Sequence, residues 1–415
     1  AARSGRRTEE TMTQTLESAP APVQTIRVRR LLPVLGGLIA LGPLSVDMYL
    51  PALPAIQADL DTAPAVVQLT ITGVLAGMAL GQLIVGPLAD AVGRRRPLIA
   101  GLVLYVLASL LCAVAPSFPV LGVARLLQGF AVSTAGVTAT AMVRDLYSGR
   151  ALARVLSRLL IIPLAAPVIA PTIGSAILHW AAWRAVFVLL AVAGAAMLIG
   201  SLVAVRETLP PVQRRPARPA AMLRAYAELI GDHQFLALAV LIGASMGALI
   251  SYVSGAPFVF QDGFGLDQQQ FGLVFGAGGI SLIISSQLNA YLLRSRAPER
   301  ILAGALAVGL GAVALLIIAA ATGAGGLLGL LVPLWLLLGT IGTIFPNAPA
   351  VAMSRHGARA GSAAALIGAS QFGVGAVAAP VVGALGNTPV AMAAVCTGAM
   401  IIAALALITA RLVRR

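Results

Sequence analysis

Two ionisable residues stand where the chain around them offers no water. Asp47 lies in the run Ser45, Val46, Asp47, Met48, Tyr49, Leu50, Pro51, and Arg125 is enclosed by Leu121 to Ala124 and by Leu126 and Leu127. A charge placed in hydrocarbon is costly, and by default it is there for function. Desolvation disfavours an ionised carboxylate and a nearby cation favours it, so a site that alternates between these influences can load and release a proton. Asp47 is therefore the expected proton carrier, and Arg125 the fixed charge that biases it. The residues alone leave a second reading of each open: an acid at the outer boundary of a helix ended by Pro51, and an arginine bonded to backbone carbonyls. No Ser/His, His/Glu or paired-acid constellation falls inside the apolar runs, and no phosphate-cradling glycine loop occurs, so neither an intramembrane enzyme nor direct nucleotide drive is expected. Cys112 and Cys396 sit far apart in apolar runs and read as small core side chains, not as metal ligands.

The elements that must hold these residues are membrane helices. Of the 415 residues 59% are hydrophobic and 10% charged, well under the roughly 25% charged of a soluble domain. Apolar runs long enough to cross a bilayer are expected at 31–50, 66–89, 97–115, 119–142, 155–178, 183–204, 235–258, 271–292, 300–321, 326–348, 360–384 and 389–411. The net charge of +14 invites a nucleic-acid reading, but the arginines cluster in every second gap between runs, which is a topology signal. Arg94 to Arg96, Arg144 to Arg158, Arg206 to Arg224, Arg294 to Arg300 and Arg355 to Arg359 mark one side as cytoplasmic. The other side carries Asp59, Asp61, Asp262 and Asp267 with a single gap arginine, Arg184.

An even number of spans then puts both termini inside. The expected organisation is a disordered cytoplasmic tail over 1–30, a six-helix bundle over 31–204, a cytoplasmic linker over 205–233 and a second six-helix bundle over 234–415. In the linker Met222, Leu223, Tyr226, Leu229 and Ile230 share a helical face, which suits a short surface helix or an extension of the next span. The first span runs outward and the fourth inward, so Asp47 and Arg125 fall at similar depth, about 10 Å from the outer face. A shared cavity and an ion pair between them are within reach. His179, Trp180 and Trp183 at the outer end read as part of an aromatic belt.

Three further patterns carry mechanism. Gly86, Asp90, Gly93, Arg94 and Arg95 follow the second span; glycines permit a tight turn, and an acid beside arginines at a membrane boundary can form a latch present in one conformation only. This spacing resembles the signature loop of the major facilitator superfamily. In that family the aspartate docks at the start of the eleventh helix and couples to charges after the fourth, which here are Ala360 to Ser362, Arg144 and Asp145. Arg125, Gln128 and Gly129 resemble the fourth-helix pattern of proton-coupled members. Pro163, Ala166, Pro167, Ala170, Pro171 and Gly174 resemble the fifth-helix antiporter motif in an Ala-Pro-rich form; prolines kink a helix and small residues at steps of four allow close packing.

The run Ser45 to Pro54, the Ala-Pro repeat, the Arg144 and Asp145 pair, and Phe345, Pro346, Asn347 with Gly361 to Ala363 resemble the bicyclomycin and chloramphenicol resistance (Bcr/CflA) branch of drug:proton antiporters. The resemblance implies an all-α membrane fold of twelve helices in two six-helix bundles in the bacterial inner membrane. It implies export of small drug-like molecules, amphenicols and related antibiotics foremost, in exchange for protons; a proton-coupled uptake transporter for a metabolite is the alternative. Tyr49, Gln128, Tyr252, Asn347 and Gln371 are candidate cavity residues, each also suited to interhelical hydrogen bonding. Protons are the only coupling agent expected, with no cofactor or metal. The partners expected are the substrate and membrane lipid, with no nucleic acid and a monomeric chain.

Overall fold

A computed structural model describes residues 23–214, 219–356 and 359–413. The tail expected over 1–30 lies outside them as far as residue 22, and from Val23 the chain is already helical. Regular structure among the described residues is entirely helical, and twelve long helices account for the twelve expected spans. These are α1 (Val23–Asp47), α3 (Pro64–Val92), α4 (Arg95–Ala113), α5 (Phe118–Leu146), α6 (Gly149–Trp180) and α7 (Arg184–Ala204) in the first half. The second half holds α9 (His233–Pro257), α10 (Gln268–Leu292), α11 (Pro298–Thr322), α12 (Gly326–Met353), α13 (Ala360–Ala384) and α14 (Pro389–Leu412). Two short helices, α2 (Leu53–Asp59) and α8 (Pro219–Gly231), complete the order.

Eleven helical stretches among the described residues are long and apolar enough to span a membrane. In the remaining long helix, α6, the apolar stretch among the described residues is Ala165–Trp180. Proline opens α3, α11 and α14, where its missing amide costs no hydrogen bond. Asp232 caps α9 by accepting from the amides of Gln234 and Phe235, and Asp267 with Gln270 forms a reciprocal capping box on α10.

Lipid supplies no hydrophobic drive between helices, so close backbone approach through small residues must hold them. Along α3, Gly73, Gly77 and Gly81 all face α5. The halves meet at two seams, α3 against α13 and α6 against α10. Linker residues 219–231 form the separate helix α8, whose Tyr226 hydroxyl donates to the Leu83 carbonyl of α3 at 2.9 Å while Glu228 pairs with Arg359 at the start of α13. At the opposite end Arg184 pairs with Asp59 at 2.6 Å. Trp180 is exposed there, as a belt residue should be, but Trp183 is buried and donates its indole N–H to Asp59 at 3.1 Å.

The first span differs from expectation in an instructive way. It does not end at residue 50. Helix α1 stops at Asp47, turns through a single 3-10 turn at Leu50–Ala52, and resumes as α2 to Asp59. Pro51 and Pro54 cannot donate to the preceding turn, so the helix breaks there without ending. Asp47 thus stands near the middle of a 29-residue span, Leu31–Asp59, and not at its boundary.

Candidate transport cavity

Between the two halves lies a cavity of about 810 Å³. Its walls extend from Asp47, Tyr252 and Phe275 at mid-span to Asp90, Arg94, Arg144, Asp145 and Gly361 at the arginine-rich end. No lining position on α3 precedes Leu75, none on α9 passes Val253, and none on α13 passes Phe372. Beyond those points the halves are joined. Gln68 of α3, fully buried, donates through Nε2 to the Ser254 carbonyl at 2.8 Å and to Asn387 Oδ1 at 2.8 Å. Thr72 donates to the Ala376 carbonyl at 2.8 Å. The cavity is therefore closed at the acidic-loop end by hydrogen bonds across the seam and reaches the exposed residues Arg144, Asp145 and Gly361 at the arginine-rich end.

Asp47 is 8% exposed, faces this cavity, and has no hydrogen bond or ion pair among the described residues. The break in the first span is held from behind by α6, where a Cβ on Gly174 would lie 1.9 Å from the Met48 carbonyl oxygen. Only glycine fits. The fifth-helix motif is thus a packing surface on two sides: Gly174 seats the broken helix, while Pro163 and Pro167 line the cavity. Ala166 and Ala170 are buried, and the carbonyl of Pro171 lies against Gly272 of α10.

Arg125 does not share the cavity with Asp47, contrary to the reading from depth alone. It is fully buried inside the first bundle. Its guanidinium lies 4.1 Å from the Tyr49 ring centre and 5.6 Å from that of Phe187, and Nη1 donates to Gln128 Oε1 at 2.6 Å. Nε and Nη2 have no hydrogen-bond partner among the described residues. Among the described residues no carboxylate is paired with it, so aromatic faces stand in for a counter-ion. From Gln128 the hydrogen bonds continue to Ser109 Oγ at 2.8 Å and on to the Tyr105 carbonyl, and the Tyr105 hydroxyl meets Ser45 Oγ at 2.8 Å. Ser45 and Asp47 are two residues apart on α1, hence on opposite faces. The arginine network ends on the back of the helix that presents Asp47 to the cavity.

Of the five candidate cavity residues, Tyr252 and Gln371 line it. Tyr49, Gln128 and Asn347 do not. Each is consumed by an interhelical hydrogen bond: Tyr49 with Thr70 at 3.1 Å, Gln128 with Ser109, and Asn347 to Asn289 Oδ1 at 2.6 Å.

The loop motif forms a compact charge cluster within the first half. Arg94 bridges Asp90 at 2.5 Å and Asp145 at 3.0 Å. Its backbone amide donates to Glu207 Oε1 at 2.8 Å, and that of Arg95 to Oε2 at 3.3 Å. Arg95 Nε donates to the Val205 carbonyl. Gly93 has φ +97°, and a Cβ there would lie 2.3 Å from Glu207 Oε2, so this glycine is required twice over. Burial pushes the Glu207 carboxyl up, but the amides of Arg94, Leu209 and Arg95, with Arg214 beside them, outweigh it and hold the group below the usual carboxylate range.

Two details depart from expectation. Asp90 makes no hydrogen bond to the start of α13 among the described residues; Gly361 stands across the cavity from it. Arg144 is on the cavity wall, outside the cluster, and Gly86 is on the wall with open space where a Cβ would be. Glu207, Gln68 and Phe275 were missed by motif reading. Glu207 is an acid at the head of an arginine-rich linker, and Gln68 a lone amide in an apolar run; those were the available signals.

Two bundles parted by a cavity that reaches one end and is clasped at the other are the architecture of a secondary transporter. Residues 35–380 match the family model described as Major Facilitator Superfamily. The chain is 36% identical over 375 residues to the MFS-type transporter YdgK of Bacillus subtilis strain 168, covering 90% of this chain and 93% of that one. It is 31% identical over 345 residues to the bicyclomycin resistance protein homolog of Haemophilus influenzae, covering 83% and 86%. It is 30% identical over 251 residues to the multidrug resistance protein MdtL of Escherichia coli O6:H1, covering 60% and 63%. The chain belongs to the major facilitator superfamily and, within it, to the Bcr/CflA branch. It is a multi-pass membrane transporter and not an enzyme.

Proposed function

We propose that the protein exports small drug-like molecules from the bacterial cytoplasm across the inner membrane in exchange for protons, with amphenicols and related antibiotics as first substrates. The observation that carries this reading is Asp47, a carboxylate with no hydrogen bond or ion pair among the described residues, at the closed end of the cavity and at mid-span of a broken helix. The arginine-rich end is cytoplasmic by the positive-inside rule, so the cavity faces inward and both termini are inside. The resistance proteins among its relatives support the direction and the class of cargo.

In this scheme drug enters from the cytoplasm and Asp47 gives its proton to that side. The Gln68 and Thr72 bonds then break, the Asp90 side of the cavity closes toward the start of α13, and drug leaves outward. A proton from outside reloads Asp47 and resets the cycle. Arg125 acts from behind α1 through Gln128, Ser109, Tyr105 and Ser45, sensing how α1 sits rather than pairing with the carboxylate.

Inside-out vesicles with an imposed pH gradient test the reading. Chloramphenicol accumulation driven by an acidic lumen, and abolished by a protonophore, is expected. Accumulation driven by the opposite gradient would instead identify a proton-coupled uptake system.

A further inference from the structure

A second hollow lies outside the space between the halves and shares no lining residue with it. It measures about 530 Å³ and runs between the start of α1, from Leu32 to Ala40, and α6, from Val155 to Ile162. On α1 Leu32, Gly36 and Ala40 form one stripe at steps of four, whereas Leu38, Gly42 and Val46 of the transport cavity form another. A Cβ on Gly36 would lie 2.9 Å from Ile162 Cδ1, and one on Gly37 2.3 Å from Met197 Sδ on α7, so three helices meet at these glycines and the hollow is a groove at their junction. Pro33 and Arg158 in its lining are exposed, so it opens at the protein surface. Among the described residues its lining is apolar save for Arg158.

Arg158 has no hydrogen bond or ion pair among the described residues, and neither has Arg154, one turn earlier on the same face of α6. The described acids of that end of the first half are engaged elsewhere: Asp90 and Asp145 bind Arg94, and Glu207 accepts from the amides of Arg94 and Arg95. Two arginines without counter-ions beside an apolar groove in a membrane helix pair fit an occupant with a hydrocarbon chain and an anionic head. From Leu32 to Ala40 the groove is about 12 Å long, close to the roughly 15 Å of half a hydrocarbon core.

We propose that this groove binds one anionic phospholipid, with an acyl chain between α1 and α6 and the phosphate on Arg158 and Arg154. The lipid belongs to the leaflet at the arginine-rich end, the inner one in the orientation given above, but its binding does not depend on transport. Ile162 in the groove adjoins Pro163 on the wall of the transport cavity. The chain therefore packs on α6 directly behind that wall.

The test is native mass spectrometry of the purified, delipidated full-length protein titrated with dioleoyl phosphatidylglycerol, with dioleoyl phosphatidylcholine as the zwitterionic comparison and glycerol 3-phosphate as the head without chains. The first phosphatidylglycerol is expected to bind at least about tenfold more tightly than the first phosphatidylcholine, at about fivefold per arginine. Glycerol 3-phosphate at equal concentration should not displace it. Arg154→Gln combined with Arg158→Gln is expected to lose the preference while binding phosphatidylcholine as before, and Arg158→Lys to keep most of it. Ala40→Leu, which puts a larger side chain into the groove and leaves both arginines, is expected to weaken both phospholipids at least about threefold. Equal wild-type affinity for the two phospholipids, or a preference that survives the double substitution, overturns the proposal. So does displacement by glycerol 3-phosphate, which would mark a site for phosphate alone, and so does unchanged binding by Ala40→Leu, which would put the chain elsewhere.

Discussion

Replacing Gln68 by alanine should unlock the closed end of the cavity. Gln68 contributes two hydrogen bonds across the seam, each 2.8 Å long, and it is fully buried where water cannot replace them. A buried amide hydrogen bond is worth about 1 kcal/mol net, so the closed state should lose about 2 kcal/mol relative to an opened one in which Gln68 is solvated. That shifts the equilibrium between the two states about thirtyfold. The remaining bond, Thr72 to the Ala376 carbonyl, is retained, so the fold should survive. Spin labels at Ala63 and Leu385, on opposite sides of the seam, would report the change as a longer distance population in double electron–electron resonance. Gradient-driven export should fall because the inward-facing state is depleted. A distance distribution and an export rate that both match wild type would refute the idea that this amide holds the gate.

Further expectations concern the packing and charge sites. Gly174→Ala puts a Cβ 1.9 Å from the Met48 carbonyl, and overpacking of this kind costs about 1–3 kcal/mol; a lowered thermal midpoint in detergent checks it, and an unchanged midpoint would mean that α6 does not seat the break. Glu207 has its carboxyl held low in the folded protein, so its stabilising contribution is complete above the usual carboxylate range and disappears as the pH falls through the lowered value. Glu207→Gln should therefore destabilise at neutral pH and flatten the loss of stability below about pH 4.5, measured by thermal unfolding across pH. Arg125→Met removes a buried cation without a counter-ion and should leave stability nearly unchanged, while lowering gradient-driven export at least about tenfold; wild-type export by this variant would remove Arg125 from coupling.

The topology was legible in the sequence because its signals are local. Arginine alternation and apolar run length gave the span order, and Gly93 showed its required turn through spacing with Asp90 and Arg94. Asp47 stood out as an acid in an apolar run, but its depth could not be read: Pro51 looked like an end, and only the continuation through Leu53–Asp59 shows it to be a break. Gln128 is three residues from Arg125 on the same helix and was legible, but the aromatic surroundings of Arg125 could not be read from the chain, since Tyr49 and Phe187 come from other parts of it and an aromatic neighbour leaves no spacing pattern. The same holds for Gln68, whose two partners lie 186 and 319 residues away. Polar residues in the spans divided by what else they could bond. Tyr49, Gln128 and Asn347 found neighbours, whereas the Tyr252 hydroxyl did not, and periodicity carries no information about which outcome applies.

Proton release from the purified protein on drug addition, in weakly buffered solution near neutral pH, addresses Asp47 without dependence on vesicle orientation. Wild type should release up to about one proton per molecule and Asp47→Asn none. Equal release from the two would contradict the assignment of the exchanging proton to this carboxylate.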